Sequence, residues 1–212
     1  MPQRLREALA LCAMAVVPAV GFLPTNARAQ ELDIVGSYHR SFEMERAERY
    51  QDAIRALAPV YEAYPNGYTV NLRMGWLFYL NGNFNNAVAH YEVVGTAAPF
   101  ALEPKLGRLL PLLAQGRWAE AELVAYQIVS VDHYNYYGNL RLLIALREQK
   151  KLEPAHQIAL KMVGVYPTDM YYLVELALVN DARGDTAEAK RLFGEILILY
   201  PGNETALKYL GG

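Results

Sequence analysis

His39 and Glu43 are the two residues whose types and spacing best suit metal or acid–base chemistry. They lie four residues apart, so a helix would place both side chains on one face. A zinc site needs at least three protein ligands, and no other histidine or cysteine stands at ligand spacing from this pair. The members of the pairs Glu43/Glu45 and Glu120/Glu122 are two residues apart, which points their carboxylates to different helix faces. We therefore predict no metal site and no carboxylate pair that shares a proton.

The short motifs of nucleophilic, nucleotide-binding and metalloprotease chemistry are also absent from the sequence. It contains no G-x-S-x-G, no G-x-x-x-x-G-K-[ST], no G-x-G-x-x-G and no H-E-x-x-H. The only serines are Ser37, Ser41 and Ser130. The sequence therefore predicts a protein that is not an enzyme, with no catalytic residues and no cofactor.

The composition is that of a folded globular protein. Of its 212 residues, 53% are hydrophobic and 20% are charged, which excludes a disordered chain. The formal charge of −2 also argues against a nucleic-acid partner, because neutralising phosphates requires a concentrated Lys/Arg surface.

The first 29 residues have the pattern of a cleaved signal peptide. Arg4 and Arg6 precede an apolar stretch at residues 8–23, and the small-x-small sequence at residues 27–29 predicts cleavage before Gln30. The apolar stretch is shorter than the ~20 residues that cross a bilayer, so we favour cleavage over a membrane anchor. The single cysteine lies in this segment, and a mature chain without cysteine suits an oxidising compartment. We expect an exported, periplasmic protein that does not span the membrane once it is cleaved.

A period of 34 residues runs through the rest of the chain. Alanines recur at this interval without exception, and prolines and glycines follow the same interval with one substitution each. The three series are Ala53, Ala87, Ala121, Ala155, Ala189; Pro65, Pro99, His133, Pro167, Pro201; and Gly82, Gly116, Lys150, Gly184. Within the second unit, Leu72, Trp76 and Tyr79 have helical spacing, Asn81-Gly82-Asn83 breaks the helix, and a second helix follows. Each unit is thus predicted to be helix, turn, helix.

This pattern resembles the tetratricopeptide repeat, with its W-x2-L-G-x2-Y, A-x3-F and P signature. The second unit matches most of the signature, with Met74, Gly75, Phe78, Ala87, Tyr91 and Pro99. The resemblance implies an all-α, right-handed superhelical solenoid of five units (34–67, 68–101, 102–135, 136–169 and 170–203), followed by a short C-terminal capping helix at residues 204–212. Ser41, Leu109 and Leu143 replace the family's small residue, which predicts looser helix pairs in units one, three and four. The family's tryptophan is absent from every unit.

The resemblance also implies a concave groove lined by the first helix of each unit. The residues at its lining positions are apolar and rich in tyrosine, and they predict a groove for an amphipathic helix or an extended apolar peptide. They are Tyr38, Phe42, Leu72, Trp76, Tyr79, Leu106, Leu110, Leu113, Tyr137, Leu140, Ile144, Tyr171, Val174 and Leu178. Ordinary packing is the alternative role for any one of them. Tyr38, Phe42 and Leu72 do not fit the Lys, Asn and Arg pattern with which one subfamily clamps a chaperone C-terminus.

The functional prediction is an adaptor of the bacterial cell envelope that binds a protein partner. A carbohydrate-binding module of polysaccharide secretion is the alternative, because aromatic faces stack on sugars and Tyr134-Asn135-Tyr136-Tyr137 joins units three and four.

The helix that ends at Tyr200 raises a second question, because Ile196 to Leu199 contains no polar residue. Either the short capping helix covers this surface, or an edge with Phe193 and Leu197 docks a partner or a second copy as a homodimer.

Overall fold

The computed structural model describes residues 32–211, and these residues form eleven helices and no strand. The predicted signal peptide at residues 1–29 lies outside the described residues. The helices are α1 (Ile34–Arg46), α2 (Tyr50–Ala63), α3 (Tyr68–Leu80), α4 (Phe84–Ala97), α5 (Glu103–Ala114), α6 (Trp118–Val129), α7 (Tyr136–Glu148), α8 (Leu152–Val165), α9 (Met170–Ala182), α10 (Thr186–Leu199) and α11 (Glu204–Gly211). None of these helices has the length and apolarity that crossing a bilayer requires.

Helices α1 to α10 form five consecutive helix–turn–helix pairs, and α11 packs on the last of them. We call α1, α3, α5, α7 and α9 the first helices and their partners the second helices. Each helix contacts mainly its neighbours along the chain, so the core extends along a stack. The expected all-α solenoid is confirmed.

The turn inside each pair has the same geometry in all five units. The residue that ends the turn has a positive φ in every unit, and it is glycine in three of them: Gly82 (74°), Gly116 (67°) and Gly184 (89°). In the other two units a residue with a side chain adopts this conformation, namely Glu48 (57°) and Lys150 (60°). In each turn the following N–H donates to the carbonyl five residues before it, as Asn83 does to Phe78 at 2.8 Å. The shared geometry explains why the period never slips.

The first helices lie on the inner side of the stack. Consecutive first helices α3, α5, α7 and α9 contact one another, whereas consecutive second helices make no comparable contacts within residues 32–211. The second helices α2, α4, α6 and α8 instead contact the first helices before and after them, and α10 contacts α9 and α11. Because the first helices approach one another more closely, the stack curves with the first helices on its concave face.

Residue sizes at the crossing of the two helices are exchanged between units. In unit two, Gly75 faces the ring of Tyr91: a Cβ added at Gly75 would lie 2.9 Å from a ring carbon. In unit four the large residue is Leu143 on the first helix and the small one is Ala159 on the second, and both are fully buried. The crossing is therefore filled in both units, but from opposite helices.

Unit three repeats the arrangement of unit four with Leu109 and Ala125, which are also fully buried. As expected from the leucines, the helices of units three and four approach each other over a shorter stretch than those of unit two. For unit one, where the residue is Ser41, the prediction of a looser pair is wrong, because the two helices pack nearly as extensively as in unit two. The small serine thus permits the close packing that the leucines prevent.

Hydrogen bonds replace the family's tryptophan in three units. Asn71 donates from Nδ2 to the carbonyls of Pro65 and Gly67, both at 2.8 Å. Asn139, 34 residues later, donates in the same way to the carbonyls of His133 (3.1 Å) and Asn135 (2.8 Å). Lys105 occupies the equivalent site of unit three and donates to the carbonyls of Pro99 and Ala101. These side chains tie each first helix to the loop before it.

The capping helix α11 covers part of the predicted C-terminal docking edge. Phe193 is fully buried, and its ring lies 4.4 Å from that of Tyr209 in α11. Leu197 is partly buried against the core. Phe193 is therefore unavailable to a partner, because Tyr209 occupies the space above it. The exposed large apolar residues on α10 are Ile198 and Leu199, at 80% and 45% exposure.

Candidate binding groove

The fourteen residues predicted to line the groove all lie on first helices, and none of them is buried. Phe42, Tyr137 and Tyr171 are the most exposed, at 42%, 55% and 57%. On the same helices, residues such as Met74 and Leu142 are turned into the core instead. The predicted residues therefore share the accessible, concave face of the stack.

Six of these fourteen residues also pack against the core and support the groove floor. They are Tyr38, Leu106, Leu113, Leu140, Val174 and Leu178. The packing role considered from the sequence thus applies to these six residues, which offer a partner only part of their surface.

Trp76 is held in a fixed orientation at the N-terminal end of the groove. Its Nε1 donates a 2.6 Å hydrogen bond to Oε1 of Glu45, and its indole lies 5.7 Å from the ring of Tyr79. Glu45 also forms an ion pair with Arg73, whose guanidinium stacks 3.8 Å above the ring of Phe42. Four of these residues, Phe42, Glu45, Arg73 and Trp76, line an open hollow of about 660 Å³. An aromatic surface that is already ordered loses little side-chain entropy on binding.

The Glu45–Arg73 ion pair has an equivalent three units later with the charges reversed. Arg147 donates from Nε to Glu175 at 2.8 Å, and both pairs join residues 28 positions apart. Glu45 and Arg147 are the twelfth residues of their units, and Arg73 and Glu175 are the sixth residues of the following units. The space between consecutive first helices can therefore hold an ion pair with the carboxylate on either helix. Neither pair was recognised from the sequence, although the recurring 28-residue separation of opposite charges could have revealed them.

Arg141, in the middle of the groove, has no ion-pair partner of this kind among residues 32–211. Arg141 is the sixth residue of unit four, and the twelfth residue of the preceding unit is Leu113. Nη1 of Arg141 donates to the carbonyl of Leu106 at 2.7 Å, and its guanidinium lies 5.1 Å from the ring of Tyr137. Burial lowers the pKa of Arg141, and the nearby hydroxyls of Tyr137 and Tyr79 partly offset this effect. Arg141 was also missed in the sequence.

Four predicted groove residues meet in a hollow of about 210 Å³ near the C-terminal end. They are Leu140 and Ile144 of α7 and Tyr171 and Val174 of α9. Asn203 and Thr205, which precede and begin α11, close its far side. This hollow is apolar at its base and has the size of one or two side chains.

The aromatic cluster between units three and four is largely a packing feature. The Tyr136 hydroxyl donates to Asp169 at 2.9 Å, and its ring makes edge contacts with Tyr137, Tyr166 and Tyr172. Burial, reinforced by the Asp169 carboxylate, raises the pKa of Tyr136.

The polar groups of this cluster are already engaged. Oδ1 of Asn135 accepts a hydrogen bond from the Gly138 N–H at 2.8 Å and caps α7. Only Tyr134 and Tyr137 of the four-residue segment are more than half exposed, at 54% and 55%. A sugar would thus find two exposed rings but few free polar groups.

Histidines and carboxylates do not gather into a metal-binding cluster within residues 32–211. His39 and Glu43 are both exposed on α1. His90 is enclosed by aromatic rings, stacked on Phe78 at 5.2 Å and edge-on to Tyr61 at 5.1 Å. The burial that results lowers the pKa of His90.

A further cavity of about 440 Å³ lies outside the groove, between α4, α5 and α6. Its main cation, Arg108, forms an ion pair with Glu92 at 2.7 Å. Because this charge is already compensated, we place the candidate site in the groove.

Sequence and structure comparisons identify the same fold. Residues 171–203 match the tetratricopeptide repeat family model. A search of curated protein sequences finds no significant match.

Among solved structures, MamA from Desulfovibrio magneticus RS-1 is similar, with a TM-score of 0.74 and 19% identity over 81% of this chain and 97% of that one. TTC0263, a thermophilic tetratricopeptide protein of Thermus thermophilus, has a TM-score of 0.63 and 13% identity over 84% of this chain and 97% of that one. The resemblance noted in the sequence is thereby confirmed, and at these identities the likeness extends to the fold alone.

Proposed function

We propose that this chain, which has the tetratricopeptide repeat fold, is a non-enzymatic adaptor of the bacterial cell envelope that holds a segment of a partner protein in its groove. The fold itself indicates a protein–protein interaction scaffold. The envelope location rests on the predicted signal peptide at residues 1–29, and the use of the groove rests on the geometry of its lining residues.

The observation that carries this proposal is the ordered aromatic surface around Trp76. The indole of Trp76 is bonded to Glu45 and flanked by Tyr79, lines the open hollow and remains partly exposed. Tryptophan and tyrosine at such positions dominate the energetics of protein interfaces. The apolar hollow near Tyr171 extends this surface toward the other end of the stack. A segment with apolar side chains at both ends would use both surfaces.

The binding test is capture of partners from the envelope extract of the source organism with the chain produced full-length in its own host. A matched pair of variants separates the two candidate ligands. Trp76→Ala/Tyr79→Ala removes the aromatic surface of the groove, whereas Tyr134→Ala removes an exposed ring of the junction. A protein lost with the first variant and retained with the second supports the adaptor. The reverse pattern, with a polysaccharide as the retained ligand, supports the carbohydrate-binding alternative, and equal recovery with both variants contradicts the proposed groove.

The location is tested separately by N-terminal sequencing of the protein from a periplasmic fraction. A chain that begins at Gln30 in that fraction supports cleavage and export. A chain that retains residues 1–29 and sediments with membranes contradicts them.

A further inference from the structure

Three units have Arg or Glu as their sixth residue, and Arg141 is the one of these three that lacks an ion-pair partner within residues 32–211. In units two and five this residue is charged and is neutralised by the twelfth residue of the preceding unit, as in the pairs Glu45–Arg73 and Arg147–Glu175. At Arg141 the corresponding residue is Leu113, which carries no charge. Arg141 forms no ion pair with any of residues 32–211, and the groups that act electrostatically on it are the hydroxyls of tyrosines. Its charge therefore has no compensating carboxylate within the described part of the chain.

Gly107, on the preceding first helix, offers Arg141 no side-chain partner. Gly107 is the sixth residue of unit three, so no side chain projects there, and the Tyr91 ring fills its inner side, where an added Cβ would lie 2.3 Å from a ring carbon. Arg141 reaches the backbone of this helix, where its Nη1 donates to the carbonyl of Leu106 at 2.7 Å. That hydrogen bond engages one of the five guanidinium N–H groups, which leaves the fork able to bind an oxygen ligand.

Without a bound ligand, the uncompensated charge of Arg141 lowers the stability of the protein. A guanidinium stays charged at neutral pH even where burial opposes the charge, and a partly desolvated cation without a counter-charge destabilises the protein. A carboxylate that binds it forms a charge-assisted, bidentate contact, one of the stronger polar interactions in proteins. The mature chain beyond residue 29 is itself net acidic, so a specific site rather than overall charge must attract the anion.

The surroundings of Arg141 select a peptide rather than a free anion. Leu140 precedes it on α7, Ile144 follows three residues later, and Leu106 and Leu110 lie on the adjacent first helix. These residues line the predicted groove and none is buried. We propose that Arg141 is a specificity anchor for an internal Glu or Asp side chain, flanked by apolar residues, in the partner segment that the groove binds. This inference rests on the proposed function, because it names the chemistry of the segment at the same groove.

The inference is tested with peptides selected from a random 12-residue display library on the wild-type protein. Each selected peptide that contains an acidic residue is synthesised with that residue and with its amide, Glu or Gln, and both affinities are measured by fluorescence anisotropy. We expect the wild type to prefer the Glu form by on the order of tenfold to a hundredfold, the range of a charge-assisted hydrogen bond. Arg141→Gln should bind both forms equally, with the affinity that the wild type has for the Gln form.

Two further variants provide the controls. Arg55→Gln removes an exposed arginine of α2 and should keep the wild-type preference, while Arg141→Lys retains the charge without the fork and should keep part of it. Circular dichroism establishes that each variant is folded. An unchanged Glu preference in Arg141→Gln, or no preference in the wild type, overturns the inference.

The outcomes also distinguish this inference from the proposed function. If peptides bind and are lost in Trp76→Ala/Tyr79→Ala but show no Glu preference, the groove binds peptides and only the role of Arg141 is wrong. If the library yields no peptide, or if the double variant binds as well as the wild type, the proposed function fails too. If polygalacturonate binds through Arg141 and no peptide does, the anion is a glycan and the inference is overturned.

Discussion

Glu45 accepts a 2.6 Å hydrogen bond from Nε1 of Trp76 while it neutralises Arg73. One carboxylate thus fixes the aromatic residue of the groove and joins the first two repeats. Arg73 is only 9% exposed, so the charge that Glu45 compensates is largely removed from water. The binding surface and the packing of the N-terminal repeats are therefore coupled.

The coupling between Glu45 and Arg73 is testable by a double-mutant cycle. Removing either partner leaves a partly buried charge, so Glu45→Ala and Arg73→Ala should each lower the free energy of unfolding by about 2 kcal/mol or more. The coupling energy from urea unfolding should be on the order of 1–3 kcal/mol. The swapped pair Glu45→Arg/Arg73→Glu reproduces the polarity of units four and five and should recover part of the loss. If the swapped variant is no more stable than Glu45→Ala, the space between these two helices does not accept the reversed ion pair.

Lys150 ends its turn at a φ of 60°, where glycine stands in three other units. A side chain in this region costs about 1 kcal/mol, partly offset by the greater freedom of glycine in the unfolded chain. Lys150→Gly should therefore raise the free energy of unfolding by about 0.5–1 kcal/mol. The control is Lys190→Gly in the interior of α10, which should lower it by about 1 kcal/mol. Chemical denaturation of both variants checks the prediction, and a loss of stability in Lys150→Gly would contradict it.

Units two and four place the large residue of the helix crossing on opposite helices. A second substitution should therefore restore part of the stability that the first one removes. Gly75→Leu should destabilise the protein by several kcal/mol, because an added Cβ already lies 2.9 Å from the Tyr91 ring. Tyr91→Ala should cost about 3–5 kcal/mol through the cavity it leaves. The double variant copies the Leu143/Ala159 arrangement of unit four and should be more stable than the sum of the single effects by at least about 1 kcal/mol. If the stability effects of the two single substitutions are strictly additive in thermal or urea unfolding, the side chains at positions 75 and 91 do not compete for the same space.

His90 should make stability depend on pH between about 5 and 7. Its ring is half-buried between Tyr61 and Phe78, and that burial lowers its pKa, whereas the unfolded chain binds a proton near the usual value of about 6.5. The unfolded state therefore binds more protons in this range, and stability is complete above about pH 6.5 and falls as the pH decreases toward the lowered pKa of the native state. His156, whose pKa burial also lowers, acts in the same direction.

The measurement is the urea midpoint at pH 7.5 and 5.5 for the wild type and His90→Gln. The variant should lose less stability over this range, by at most about 1 kcal/mol. The exposed His39→Gln serves as the control and should follow the wild type. If His90→Gln loses as much stability between pH 7.5 and 5.5 as the wild type does, His90 is not a source of the pH dependence.

The sequence by itself determined the period and the helix pairs. These follow from local rules: apolar spacing defines each helix, a residue that tolerates positive φ ends each inner turn, and repetition at a constant interval stacks the units. Gly82, Gly116 and Gly184 therefore revealed the turn, and the residues expected on the concave face, such as Trp76 and Tyr171, are all accessible there.

Only the tertiary structure decided what each of these side chains contacts. The ion pairs at Glu45 and Arg147, the burial of Phe193 beneath Tyr209 and the uncompensated charge of Arg141 all depend on residues about one repeat apart or on contacts with the capping helix. Periodicity assigns a residue to a helix face, but it does not state which neighbour on the next helix lies within bonding distance. That distance depends on how closely the helices pack, which is set by pairs such as Gly75 with Tyr91 on neighbouring helices.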